Sequence, residues 1–133
     1  MKKLFAVLLA LTMLFLLAAC GRTSNDIKFI NKTGTQIHNL YISHTSSDSW
    51  GESVNDDFID PGKVQRYPFP QGDPSIFDIG AINENGLNFD AYDVELRPGD
   101  ELTMGPCNGD SAILTVKHAD GKISEHECYC YFE

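Results

Sequence analysis

Basic residues are scarce in this chain, which has 10 Lys and Arg residues against 19 Asp and Glu residues and a formal net charge of −9 at pH 7. The phosphates of nucleic acids repel so acidic a protein, and we therefore expect no nucleic-acid partner. The chain also lacks the clusters of Lys and Arg that hold proteins on anionic lipid. We expect the negative charge to keep the domain soluble. The alternative is that the negative charge binds a specific cationic partner.

Long hydrophobic runs are absent after the first twenty residues. Lys2 and Lys3 precede an almost entirely apolar stretch, Leu4–Leu17, which ends in Leu17-Ala18-Ala19-Cys20. A positive start, a short apolar run and small residues before a cleavage point are typical of a secretory signal peptide. A retained transmembrane helix is the alternative, but spanning needs about 20 apolar residues and this run is shorter.

The cysteine directly after the two small residues resembles the lipobox of bacterial lipoproteins. The resemblance implies a signal peptide over residues 1–19, a diacylglycerol thioether on Cys20 and a short tether over residues 20–25. Two or more acyl chains anchor a protein stably, whereas one holds it only marginally. Because residue 21 is Gly rather than Asp, the resemblance places the protein in the outer membrane of a Gram-negative host. In a Gram-positive host the location is the outer face of the cell membrane.

No stretch after residue 25 has the apolar spacing of a long helix. Short apolar runs alternate with turn signals, namely Pro61-Gly62, Asn85-Gly86, Pro98-Gly99 and Asp120-Gly121. About eight strands at roughly ten-residue spacing are typical of an antiparallel β-sandwich or a small barrel. We predict one all-β domain over residues 26–133, a single antiparallel β-sandwich of about seven to eight strands.

Four short segments of this domain occur in a characteristic order. They are Asn31-Lys32-Thr33-Gly34, Leu40-Tyr41-Ile42-Ser43, Ser47-Asp48-Ser49-Trp50-Gly51 and Pro61-Gly62. The order resembles a small, functionally uncharacterised domain of exported bacterial proteins, over roughly residues 26–102. The resemblance implies the fold and an exported location, and it implies no mechanism.

Three cysteines remain once Cys20 is lipidated, and an exported protein sits where disulfides persist. Cys128 and Cys130 are two residues apart in a predicted strand, almost 7 Å, which is beyond comfortable disulfide geometry. Cys107 is therefore expected to pair with Cys128 or with Cys130. The sequence leaves this choice open, and one thiol is left over.

Two groups of side chains are candidate ligand or metal sites. The loop 44–60 collects oxygen ligands of the kind that calcium prefers, although their spacing is not that of an EF-hand. Its candidate residues are Asp48, Trp50, Glu52, Asp56, Asp57 and Asp60. The plainer interpretation is a solvated acidic loop, with Trp50 closing one end of the core.

The second group lies on the last predicted strand. His126, Cys128 and Cys130 share one face because strand side chains alternate, and His and Cys are ligands for zinc or copper. A disulfide is the favoured interpretation of these cysteines. On the same strand, Tyr129 and Tyr131 form either an exposed stripe for carbohydrate or protein or a packing contact with a neighbouring strand.

No catalytic motif stands out in the sequence. The Gly-x-Ser-x-Gly elbow is missing, and scattered Ser, His and Asp residues are not a triad until geometry brings them together. We therefore predict a membrane-anchored lipoprotein that acts as a non-catalytic binding or accessory module, with an envelope protein or glycan as partner and no cofactor. The alternatives are a calcium-dependent module using loop 44–60 and a small envelope hydrolase in which a His activates a Ser, Thr or Cys.

Overall fold

Strands make up all of the regular secondary structure in the computed structural model, which describes residues 25–70 and 75–133. In chain order they are β1 (Ile27–Asn31), β2 (Ile37–His44), β3 (Val64–Tyr67), β4 (Ile76–Asn83), β5 (Leu87–Glu95), β6 (Glu101–Met104), β7 (Ser111–Lys117) and β8 (Ile123–Phe132). The all-β class and the number of strands are confirmed. The signal peptide and Cys20 lie outside the described residues. Residues 25–70 and 75–133 contain no helix that is long and apolar enough to cross a membrane.

Hydrogen bonds join the eight strands into one curled sheet with the order β2-β4-β5-β8-β7-β6-β1-β3. Neighbouring strands are antiparallel except for β1 and β6, which run parallel with Lys28 opposite Glu101. The sequence predicted a sandwich of two sheets, and this finer description is not confirmed because a continuous ladder connects all eight strands. The chain forms β2–β5 between β1 and β6, and this long connection allows β6 to run parallel to β1.

The loop between β2 and β3 covers the outer edge of β2. Ile59 and Ile37 exchange two backbone hydrogen bonds, each of 2.9 Å. The side chain of Asn55 extends this pairing, because it accepts a bond from the Leu40 N–H at 2.8 Å and donates one to the His38 carbonyl at 2.8 Å. An uncovered edge strand would offer these groups to another chain. The loop therefore covers the edge of β2 by hydrogen bonding, as an additional strand would.

The core fills the inside of the curl with side chains from alternate positions of the strands. In β7 the even-numbered residues Ala112, Leu114 and Val116 are buried, and the odd-numbered ones face outward. The largest fully buried side chains include Phe29, Phe77 and Phe89. Burying one such side chain contributes about 1.5–3 kcal/mol, so the core alone is a large stabilising term.

Two tight turns follow the hairpin signals of the sequence. Asn85-Gly86 joins β4 to β5, and Asp120-Gly121 joins β7 to β8. Gly86 and Gly121 have φ angles of 81° and 88°, which glycine adopts without the strain of a Cβ atom. Both predicted hairpins are confirmed.

The Asn31-Lys32-Thr33-Gly34 segment is a structural turn in which Asn31 and Thr33 are buried and Lys32 and Gly34 are exposed. Asn31 is fully buried and donates through Nδ2 to the Ile59 carbonyl at 2.9 Å, and its Oδ1 accepts the Thr33 hydroxyl at 2.7 Å. The segment thus ties the end of β1 to the loop that covers β2. Its role in this fold is structural.

Candidate binding cleft

One face of the strands β2, β4, β5 and β8 is exposed and carries aromatic side chains. Tyr41 lies opposite Gly80, Gly80 opposite Asp90, and Asp90 opposite Tyr129, so these four positions share one side of the sheet. This is the side away from the core. Tyr129 is exposed, as is Tyr92, which belongs to the same face of β5.

Trp50 folds back from the β2–β3 loop onto this face. Its ring lies above Gly80, where a Cβ atom would be only 3.1 Å from two carbon atoms of the indole. The ring centroids of Tyr41 and Tyr92 are each 6.1 Å from that of Trp50. Trp50 therefore packs on the outside of the sheet and not in the core, because the glycine leaves room for its ring there.

A hollow of about 410 Å³ opens beside the Trp50 ring, and we call it the outer-face cleft. It is lined by Tyr41, Ser49, Trp50, Gly51, Ala81, Ile82, Asn88, Asp90, Tyr131 and Glu133. A smaller hollow of about 150 Å³ on the other side of Trp50 includes Asp48, Asp78 and Tyr92. Aromatic walls with a few polar groups are typical of small-ligand sites.

Asp90 forms the polar floor of the outer-face cleft. Only 3% of this residue is exposed, and its Oδ2 accepts hydrogen bonds from the hydroxyls of Tyr131 at 2.5 Å and Tyr92 at 3.1 Å. The hydrogen bond to Asp90 raises the pKa of Tyr131 above its usual value. Desolvation, followed by the charge of Asp90, raises the pKa of Tyr92. Both tyrosines are therefore neutral near pH 7 and present uncharged rings.

A β-bulge in β5 lies directly after Tyr92. Phe77 pairs with Val94 and Ile79 with Ala91, so β5 has one more residue than β4 between these pairs. Asp93 lies at the bulge and has a positive φ of 56°. Its N–H donates a hydrogen bond to Asp78 Oδ1 at 3.1 Å. The bulge shifts the alternation of the strand, so that Val94 is buried in the core instead of lying on the outer face.

The acidic residues of loop 44–60 are spread apart in the fold. Asp60 accepts a hydrogen bond from Gln36 at 2.8 Å, and Asp48 borders the smaller hollow. Asp56 lies near Tyr67, whose pKa rises to about 12, mainly through burial and secondarily through that charge. Glu52 and Asp57 are exposed. Over residues 25–70 and 75–133, no three His, Cys, Asp or Glu side chains converge as metal ligands would, and the calcium alternative stays a prediction.

The three cysteines near the end of the chain have different roles. Cys107 and Cys130 form a disulfide, one of the two pairings that the sequence left open. Cys128 is a buried free thiol, and desolvation raises its pKa to about 12. The disulfide uses the Cys130 sulfur that a zinc or copper site on His126, Cys128 and Cys130 would need as a thiolate.

The histidines are distributed over several local contacts. His126 Nε2 lies 3.2 Å from Ser124 Oγ, and desolvation lowers the pKa of His126. His118 Nδ1 lies 2.8 Å from the buried Asp100. His38 stacks on Phe58, with ring centroids 3.9 Å apart. Ser124 and His126 satisfy the distance condition of the hydrolase alternative, but neither borders the two hollows described above. That alternative also stays a prediction.

No known protein family, curated protein or solved structure matches this chain. The support for this site therefore comes from the geometry of its residues alone. Sequence reasoning identified Trp50, Tyr129 and Tyr131 as candidates, and it missed Tyr41, Gly80 and Asp90. The only sequence signal for Asp90 was the alternation of Asn88, Asp90 and Tyr92 against the apolar residues of the same strand.

Proposed function

We propose that this protein is a membrane-anchored lipoprotein that acts as a non-catalytic binding module in the cell envelope, with the outer-face cleft as its binding site. The observation that carries the proposal is the buried Asp90 carboxylate, which lies beneath several aromatic side chains that are partly accessible to solvent. Asp90 supplies a fixed polar contact, and Trp50 and Tyr131 supply apolar walls. A few placed polar groups within aromatic walls suit recognition of a small ligand or of one group on a larger partner.

The position of the cleft along the strands suits a tethered receptor. Asn25 precedes β1, and its carbonyl accepts a hydrogen bond from the Gly99 N–H. Ile123 lies at this same end of the strands, because it pairs with Lys117 and Lys117 pairs with Glu101. Tyr131 follows Ile123 by eight residues along β8, which is about 26 Å at the usual strand rise. A membrane anchor at Cys20 would therefore leave the cleft at the far end of the strands.

Photo-cross-linking on intact cells tests this proposal. A benzophenone amino acid at Ser49, an exposed residue that borders both hollows, is expected to form a reproducible adduct that mass spectrometry identifies. The matched control carries the same amino acid at Glu125, which is exposed on β8 outside the cleft. The Ser49 adduct should disappear when Trp50→Ala is added. Equal adducts at both positions, or no adduct at Ser49, would contradict binding through the cleft.

A further inference from the structure

The outer-face cleft is acidic and has no basic residue in its lining. Asp90 and Glu133 are the charged residues among those that border it. Asp48 and Asp78 border the smaller hollow on the other side of Trp50. The whole chain carries a net charge of −9. Electrostatic complementarity therefore favours a cationic ligand over an anionic one.

Asp90 differs from an ordinary surface carboxylate because it is 97% buried and forms no ion pair within residues 25–70 and 75–133. Oδ2 accepts both tyrosine hydroxyls. Within the described part of the chain, Oδ1 accepts no hydrogen bond. Oδ1 lies 3.4 Å from the point where a side chain at Gly80 would begin, next to the Trp50 ring. A buried carboxylate without a counter-charge is unfavourable, and a bound cation would provide that charge.

The aromatic rings around this carboxylate provide the second requirement for binding a cation. The face of an aromatic ring attracts a cation within about 6 Å of its centroid, most strongly for Trp, and cages of such rings bind quaternary ammonium groups. Tyr41, Trp50 and Tyr131 border the cleft, and the Tyr41 and Trp50 centroids are 6.1 Å apart. The Tyr131 hydroxyl is held by Asp90, which fixes the orientation of its ring.

We propose that the outer-face cleft binds an organic ammonium group, with the rings of Tyr41, Trp50 and Tyr131 around it and the Asp90 carboxylate as its counter-charge. This inference rests on the proposed function and narrows its ligand to one chemical class. The volume of about 410 Å³ is in the range of small-molecule sites and accepts a choline-sized head group with room for a substituent.

Intrinsic fluorescence tests the proposal directly because Trp50 is the single Trp of the chain. Full-length protein is titrated with choline chloride at constant total chloride, and in parallel with 3,3-dimethylbutan-1-ol, which has the same shape without the charge. We expect choline to change the Trp50 emission in a saturable way. The neutral alcohol should bind at least about tenfold more weakly, because it lacks the attraction to the rings and to Asp90.

Three variants locate the effect. Asp90→Asn keeps the shape and removes the charge, so choline affinity should fall by about tenfold or more. Gly80→Ala places a Cβ atom 3.1 Å from the indole and should displace Trp50, which weakens binding and shifts the emission before ligand is added. Glu125→Gln removes an exposed carboxylate of β8 outside the cleft and should leave the affinity unchanged. Circular dichroism checks that each variant is folded.

The comparison of choline with its neutral isostere uses the wild-type protein, so the result does not depend on whether Asp90→Asn folds. Equal affinity for both compounds would overturn the ammonium proposal and leave an apolar cleft. A response to N-acetylglucosamine without a response to choline would also overturn it, in favour of a neutral sugar. No response to any of the three would overturn it as well. In each case the cross-linking at Ser49 decides separately whether the cleft binds a ligand at all.

Discussion

At the scale of single residues, Cys128 is the buried free thiol of the last strand. Burial raises its pKa to about 12, against about 8.5 for an unperturbed thiol, so very little of it is the reactive thiolate near neutral pH. We predict that iodoacetamide at pH 8 leaves Cys128 unmodified in the folded protein and modifies it completely in denaturant. Peptide mapping by mass spectrometry, without a reductant, measures both states.

The same peptide maps test the disulfide. Cys107 and Cys130 should stay unmodified in denaturant and react only after reduction, since their sulfurs are bonded to each other. Rapid alkylation of Cys128 in the folded state would show that β8 opens at this point or that the thiol is accessible. Labelling of Cys130 before reduction would contradict the pairing with Cys107.

The sequence predicted the leftover thiol but not which cysteine carries it. Cys128 and Cys130 lie on the same face of β8 and differ only in their position along the strand. The structure resolves the choice through the backbone, because the Cys130 N–H donates to the Asp110 carbonyl at 2.8 Å and so brings Cys130 beside the loop that holds Cys107. This contact depends on the folded loop, and no local pattern in the sequence encodes it.

At the scale of elements, the loop that covers β2 depends on Asn55. Its amide satisfies the Leu40 N–H and the His38 carbonyl, and Asn55 itself is buried. We predict that Asn55→Ala lowers the free energy of unfolding by about 2–3 kcal/mol, because it leaves buried polar groups unpaired. Urea denaturation followed by circular dichroism measures the change.

The matched control for this prediction is Asn85→Ala, which truncates an exposed Asn in the β4–β5 turn and should change the stability by less than about 0.5 kcal/mol. The Asn55 variant should also self-associate in size-exclusion chromatography, because it uncovers the edge of β2. Similar stability losses in the two variants would mean that the side chain of Asn55 has no special role at this edge.

Local patterns in the sequence predicted the strands better than their pairing. The alternation of β7 and the Asn85-Gly86 and Asp120-Gly121 turns were sufficient for two hairpins. The parallel pair of β1 and β6 and the bulge at Asp93 were not foreseen, since both depend on contacts between segments far apart in sequence. The cleft was missed for the same reason, because Tyr41, Gly80 and Asp90 come from three different strands.

At the scale of the whole molecule, Asn25, where the proposed tether ends, and the proposed cleft lie at different ends of the strands. Residues 20–25 span at most about 20 Å when fully extended, so an anchored domain stays close to the membrane surface. The acidic character of the chain opposes contact with anionic lipid. A short tether at one end of the strands and a cleft near the other end would keep the binding site directed away from the membrane and accessible to ligands.

The proposed lipid anchor leads to a prediction about the intact protein. In cells grown with radiolabelled palmitate, the wild-type protein should carry the label and remain in the membrane fraction after a carbonate wash, because two or more acyl chains hold a protein stably. Cys20→Ser should carry no label, since it removes the sulfur to which the diacylglycerol would be attached. Cys128→Ser removes a different thiol and should be labelled like the wild type.

Intact mass spectrometry should also show that residues 1–19 are missing from the labelled wild-type protein. Label that persists in Cys20→Ser, or unlabelled wild-type protein that begins at another residue, would contradict the lipoprotein proposal and leave only a secretory signal.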